Sequence, residues 1–365
     1  MEFQVEGFKS ILSASVDIGR INVLVGANGS GKSNFVQAFE MLGRIVDQEL
    51  GLFVGLNGGA STLLNYSAAK NGMRLALTAS PNSYVAQLAA APNDELIFVQ
   101  ETVYFQGEGH PQPWNEVLGH GHRETRLREV AAQNQRRAVT DYVIDLLQGC
   151  RVFHFHDTSA NAPVKQLTST ADNLALRQDA GNLAAILLDL RDNNASSYRR
   201  IVGAIRQVAP FFRDFVLQPE GPDRVRLRWR QVGSDAVFSA HQMSDGTIRF
   251  VCLATLLLHP RLPALVVLDE PELGLHPYAI VQLAGLLQQA SIRSRVLIAT
   301  QSVTLMNQFQ LEDLVVVERV GGASTFSRPE PAGLHEWLDK YSLGELWEKN
   351  LLGGRPGSLG AGSHA

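Results

Sequence analysis

Eight residues near the amino end have the types and spacing to hold phosphate. Gly26-Ala-Asn-Gly-Ser-Gly-Lys32-Ser33 matches G-x-x-x-x-G-K-[ST] in full. In such a loop the glycines let backbone N–H groups turn inward around phosphate oxygens. The following helix N-terminus adds the positive end of its dipole. Lys32 supplies a point charge for β/γ-phosphates, and the Ser33 hydroxyl suits Mg²⁺. A second group lies far downstream, where the apolar run Ala264–Leu268 ends in Asp269, Glu270, Pro271 and Glu272. Asp269 would hold Mg²⁺, directly or through water, and Glu270 would polarise an attacking water as general base. A strand ending in two acids is unspecific alone, because every strand ends in something polar. Paired with the phosphate loop it becomes specific.

The elements that must position these groups are legible. Residues 2–8 alternate polar and apolar, residues 13–18 continue that way and Ile21–Val25 is a short apolar run, so strands precede the loop. Phe35, Ala38, Phe39, Leu42 and Ile45 fall at helical spacing and predict a helix after it. Strand, loop and helix thus stand in the order that phosphate binding requires. Downstream, Thr247–Leu258 and Ile280–Ala290 read as helices, and Ala264–Leu268 and Arg295–Thr300 as buried strands. Between the two ends, Met73–Ala79, Ser83–Leu88 and Glu95–Phe105 predict an antiparallel meander. Residues 50–65 and 107–122 read as Gly-rich loops, 123–148 as helix, Val152–His156 as a short strand and 334–349 as a small terminal helix. The expected fold class is α/β: a P-loop nucleotide-binding head with a mixed central sheet, an antiparallel β subdomain and a helical insertion lobe. The expected divisions are 1–106 (the phosphate-loop lobe), 107–214 (mainly helical insertion), 215–333 (the acidic-strand lobe) and 334–365 (helix and tail).

Composition narrows the class. The chain has 365 residues, 45% hydrophobic and 19% charged, which excludes disorder throughout. A formal net charge of -4 gives no bulk attraction to nucleic acid or anionic membrane, leaving only local basic patches. Cys150 and Cys252 are too few for a disulfide scaffold and fit a reducing, cytoplasmic setting. No basic n-region with an apolar run opens the chain, and no apolar window reaches transmembrane length. Glu101–Gly107 looks like a viral-protease tag site, but strand alternation runs through it and it reads as native.

Four stretches together carry a family resemblance: GANGSGKSN at 26–34, MSDGTIRF at 243–250, LVVLDEPELGLHP at 265–277 and VLIATQSVTLMNQF at 296–309. They resemble the ABC-type ATPases of the SMC/RecF-like soluble branch and span most of the chain in that family's order. The resemblance implies ATP and Mg²⁺ as ligands. Gly26, Asn28, Gly29, Ser30, Gly31, Lys32, Ser33 and Asn34 would line the nucleotide, with Ser33 and Asp269 on the metal. Ser244 and Gly246 would stand in the signature that meets the γ-phosphate held by another subunit, with Asp245 capping the helix. Gly274–Pro277 would form the D-loop. Gln301 stands at the switch position, where many relatives carry histidine. Glutamine still donates a hydrogen bond but cannot ionise. No Q-loop glutamine stands out, Gln100 and Gln106 both lacking the family's surroundings.

Partners follow the same implication: a second copy in an ATP-sandwiched homodimer, DNA, and an effector nuclease or toxin subunit in repair or antiphage defence, with no membrane. Arg123, Arg126, Arg128, Arg136 and Arg137 share one predicted helical segment and read first as a solvated face. Arg224, Arg226, Arg228 and Arg230, spaced by two, form the better phosphate-backbone strip, weighed equally against a solubilised edge strand. His154 and His156 read as a buried or interface pair before a metal site. An ABC-transporter nucleotide-binding subunit and a non-hydrolysing nucleotide-gated scaffold are the competing readings. The missing LSGGQ-like signature, the insertion and the GLHP stretch count against the first.

Overall fold

The computed structural model describes residues 1–67, 72–107, 114–133, 137–330, 334, 337, 340 and 341–353. Along the chain run strands β1 (Glu2–Phe8), β2 (Ile11–Asp17) and β3 (Ile21–Val25), then helices α1 (Lys32–Val46), α2 (Leu50–Leu56) and α3 (Ala60–Leu63). Strands β4 (Met73–Ala79), β5 (Asn82–Ala91), β6 (Glu95–Phe105) and β7 (Trp114–Gly119) follow, then α4 (Leu127–Gln133), α5 (Arg137–Gln148) and β8 (Cys150–Phe153). After β9 (Thr168–Ser169) come α6 (Leu183–Asn193), α7 (Ala195–Val208), β10 (Phe212–Phe215), β11 (Arg224–Val225), β12 (Arg228–Gln231) and β13 (Val237–Ser239). The chain continues through α8 (Asp245–Leu258), β14 (Leu265–Asp269), α9 (Pro277–Ser291), β15 (Arg295–Thr300), α10 (Val303–Met306), β16 (Leu314–Val320), β17 (Ala323–Ser327) and α11 (Leu343–Glu348).

These elements divide into two units, Met1–Arg151 with Gln310–Ala365, and Val152–Phe309. In the first, an antiparallel sheet runs β2-β1-β4-β5-β6-β7. Beside it β3 pairs in parallel with β16, with Val25 opposite Val316, and β16 pairs antiparallel with β17. Helix α1 follows the 3.6-residue period and buries Phe35, Phe39, Leu42 and Ile45. Phe3 on β1 lies 4.0 Å from Phe39, and Phe35 lies 4.8 Å from Phe326 on β17, ring centroid to centroid. These aromatic contacts fix the helix that begins at Lys32 against two strands, each pair contributing about 0.5–1.5 kcal/mol beyond simple burial.

In the second unit β14 and β15 are parallel, with Asp269 opposite Ala299. Helix α8 packs on α9 and α7. Val266, Val267, Leu297 and Ile298 are fully buried, as their continuous apolar runs require. The α/β class expected from the sequence is the class observed.

Several expectations need correction. Residues 50–65 are not a loop: α2 and α3 occupy most of them. Leu50, Phe53 and Val54 are buried at helical spacing, and the Glu124 carboxylate accepts the Leu50 and Gly51 amides at 3.0 and 2.8 Å. The helix end is therefore satisfied from a distant segment, which local composition cannot reveal. Part of the expected loop 107–122 is β7, held by pairing with β6 (108–113 lie outside the described residues). The arginines expected on one helix do not share one. Arg123 and Arg126 precede α4, and Arg123 pairs with Glu95 at 3.1 Å. Arg136, and the side chain of Arg137, lie outside the described residues. The strand expected over Val152–His156 ends at Phe153, so His154 and His156 lie beyond it. The tag-like stretch belongs to β6, and its Glu101 is fully buried. It accepts from Tyr84 Oη at 2.8 Å and the Arg126 amide at 3.0 Å, and bonds His122 Nε2 at 2.9 Å.

Candidate functional site

The first unit carries the phosphate loop between β3 and α1. The loop starts tight against β16: a Cβ on Gly26 would lie 2.2 Å from the Val317 carbonyl oxygen. Gly29 and Gly31 have φ of 75° and 116°, and Gly31 is the residue before the helix. A Cβ at Gly31 would meet Ser324 Oγ at 2.1 Å, so glycine is required there twice over, by space and by backbone. The Ser30 amide bonds Ala27 O at 3.2 Å and the Phe35 amide bonds Gly31 O at 3.0 Å. Among the described residues no acceptor faces the amides of Gly29, Gly31 and Ser33. Lys32 is 5% exposed and folds over the loop, its Nζ donating to Gly26 O at 2.7 Å and Ala27 O at 3.0 Å. Ser30 Oγ is buried with no partner among the described residues. Unbonded loop amides, an ammonium and an unsatisfied hydroxyl at a helix N-terminus have the chemistry of a polyphosphate cradle.

A hydroxyl chain that sequence reasoning missed supports this loop. Ser324 Oγ donates to Ser30 O at 2.6 Å and lies 2.6 Å from Ser10 Oγ. Asn34 Nδ2 donates to Ser10 Oγ at 2.7 Å. Asn34 thus reaches the β1–β2 turn, and the loop is braced by residues from two other hairpins. A serine in a turn and one at a strand start carry no sequence signal of that contact.

The second unit carries the acidic strand end. β14 stops at Asp269, and Glu270 turns sharply with φ 44°, its amide bonded to Ala299 O at 2.8 Å. A left-handed non-glycine residue is rare and is held only by its surroundings. The parallel register that sets Asp269 beside Ala299 brings Gln301 next to Glu270, and Gln301 Nε2 donates to Glu270 Oε1 at 2.7 Å. The neighbouring Glu272 accepts from Thr300 Oγ1, and its Oε2 is buried with no partner among the described residues. Burial pushes the Glu272 carboxyl above its ordinary value. The Thr300 hydroxyl opposes that shift and the nearby Glu270 charge adds to it.

Ser244 is exposed at the N-cap of α8, its Oγ accepting from the Thr247 amide at 3.2 Å. The cap is therefore Ser244, and Asp245 is the first helical residue rather than the expected cap. Ser already has the oxygen in the right place, whereas Asp245 N–H and side chain belong to the first turn. Gly246 lies against the Gly274 backbone, and His276 caps α9 through Nδ1. The strip Arg224–Arg230 does alternate with buried Val225, Leu227 and Trp229, but it spans two strands, and Arg226 and Arg228 share Glu220 at 3.7 and 3.8 Å. Gln100 bonds Thr102 Oγ1 at 3.0 Å within β6. Among the described residues no group of three His, Cys, Asp or Glu is arranged to hold a metal alone. None of their helices is long and apolar enough to cross a membrane.

The solved structures similar to this chain share that architecture. An SMC head bound to the C-winged helix domain of ScpA aligns with TM-score 0.56 and 16% identity, covering 92% of this chain and 98% of that one. An SMC head domain with an extended coiled coil, bound to the C-terminal domain of ScpA and derived from Pyrococcus furiosus, aligns with TM-score 0.52 and 15% identity, covering 93% and 98%. At such identity the likeness establishes the fold. No curated protein matches the chain. Fold and phosphate loop define a P-loop domain of the AAA class with the fold seen in SMC heads. Within that class the chain belongs to the family described as "AAA domain, putative AbiEii toxin, Type IV TA system", whose model matches residues 21–307.

Proposed function

We propose that the protein binds ATP with Mg²⁺ and hydrolyses it to ADP and phosphate. The observation that carries this reading is the 2.7 Å bond from Gln301 to Glu270, which aims a carboxylate that lines a cavity at the end of a buried strand. The amides of the Gly26–Ser33 loop and the Lys32 ammonium would take the phosphates. Asn28, Ser30 and Asn34 would complete that loop. The Ser33 hydroxyl and the Asp269 carboxylate would hold the metal, being hard oxygen donors of the kind Mg²⁺ takes. The ion would neutralise charge developing on the phosphate oxygens. Glu270 would accept the proton of the attacking water, while Gln301 holds its other oxygen and keeps the carboxylate aligned.

Ser244 and Gly246 stand at an exposed helix start, a ready anion site for a nucleotide brought by a second copy. ATP would then close a homodimer and hydrolysis reopen it. The family's description names a putative toxin of a Type IV TA system, and the role proposed with it is in defence, with a toxin or nuclease partner, in the cytoplasm. DNA engagement rests on Arg224 and Arg230, which have no carboxylate partner among the described residues.

Phosphate release by wild type, Lys32→Ala and Glu270→Gln, with and without DNA, alongside mass in ATP, tests the reading. Expected are a loss of nucleotide binding in the first variant, and retained binding with a trapped dimer in the second. Full turnover by Glu270→Gln would remove the base assignment. Wild type that binds ATP but never releases phosphate would establish a nucleotide-gated scaffold instead.

A further inference from the structure

Helix α8 and the loop after Glu270 are fastened together at two successive turns. In the first turn, Gly246 sits so close to the Gly274 carbonyl that a Cβ would lie 2.5 Å from its oxygen. In the second, the Arg249 guanidinium donates from Nη1 to Leu273 O and from Nη2 to His156 O, both at 2.8 Å. Gly274 has φ 76°, and a Cβ there would stand 2.5 Å from Arg249 Nη1. A helix, the acidic loop and the segment after β8 thus meet at one side chain. Two carbonyls at equal distance suit the rigid, planar fork of arginine. A lysine ammonium presents no such fork.

The loop passes this restraint back to Glu270. Leu273, held through its carbonyl by Arg249, donates its amide to Glu270 O at 3.1 Å, and Leu275 donates to Glu272 O at 2.9 Å. Glu270 keeps its left-handed backbone, φ 44°, inside these interlocked turns. Arg249, His156, Asp269 and Glu270 line one cavity. Arg249 is half-buried, and neither bond it makes reaches a carboxylate. Among the described residues its hydrogen bonds go to backbone alone, which points to shape as its role.

We propose that Arg249 is the positioning residue of the base, holding the Glu270 turn to the helix that carries Ser244. The proposal rests on the reading of Glu270 as base. It makes the exposed helix start and the base one rigid body, so that an anion drawn to Ser244 acts on the orientation of Glu270.

The test uses the full chain with Arg249→Met, which keeps an unbranched stem without donors, and Arg249→Lys. Turnover, affinity for a fluorescent ATP analogue and amide hydrogen exchange are measured together. Arg249→Met should lower kcat about tenfold or more while KM and analogue affinity stay within about twofold. Exchange should quicken over 270–276 and stay unchanged over 26–33. Arg249→Lys should recover only part of the loss. Combined with Gln301→Ala, the two losses should fail to multiply, because both act on the same carboxylate. An unchanged kcat, a loss carried by KM, faster exchange throughout the unit, or losses that multiply would each overturn the proposal. Wild type that binds the analogue without turnover removes the base reading instead, and exchange over 270–276 then decides alone whether Arg249 holds that turn.

Discussion

Gln301 Nε2 donates to Glu270 Oε1 at 2.7 Å, so the residue just past the end of β15 grips the residue just past the end of β14. The amide of glutamine stays a donor at every accessible pH. The grip on Glu270 is therefore not switched by protonation of its partner. Replacing Gln301 by Ala should lower kcat on the order of tenfold to a hundredfold, the weight of one hydrogen bond to a charged group, with nucleotide affinity unchanged. Gln301→His should introduce a new step in the pH–rate profile near the imidazole range of about pH 6.5, which wild type lacks. A wild-type step there that vanishes in Gln301→Ala would contradict this.

Glu272 responds to pH through stability. Its folded carboxyl is raised by burial, so the fold prefers the protonated form. The contribution from this group is fully present below the unfolded value and is lost as pH rises through the raised folded value. Glu272→Gln cannot ionise and keeps an oxygen for Thr300. The melting temperature of Glu272→Gln minus that of wild type should therefore grow as pH rises from about 4.5 toward neutrality. A difference that is flat or shrinks over that range would show that Glu272 carries no such penalty.

Gly31 tests the phosphate loop without touching a charge. Alanine there meets Ser324 Oγ and must also take φ 116°. Gly31→Ala should lose about 1–3 kcal/mol of stability and abolish nucleotide binding. Adding Ser324→Ala removes the Oγ contact but leaves the residue-324 Cβ 2.7 Å away as well as the backbone strain, so it should restore only part of the stability. Full restoration by the double variant, read by thermal melts, would mean that the backbone imposes nothing.

Ser244 separates a cap from a ligand-binding role. Ser244→Ala should cost about 1 kcal/mol by removing the N-cap acceptor. Ser244→Asp keeps an acceptor and should melt near wild type, yet its carboxylate would repel an incoming phosphate and stop turnover. Equal turnover by Ser244→Asp and wild type would leave Ser244 a cap alone.

The legible part of this protein was the part set by short-range chemistry. Gly26–Ser33 reads as a phosphate loop because strand, glycines and helix lie within one continuous stretch. β14 and β15 read as buried strands because their apolar runs are unbroken. Helix α1 shows in its 3.6-residue period, which is a property of consecutive residues. Tertiary structure decided whatever depends on a partner far along the chain. Helix α2 needs Glu124 to satisfy its first amides, so its glycines mislead a local reading. Ser324 and Ser10 brace the phosphate loop, and Arg249 clamps Leu273 and His156, through bonds that leave no trace in composition or spacing. Periodicity records which face of an element is buried. It does not record which polar group will be waiting there, because that depends on how distant segments come together.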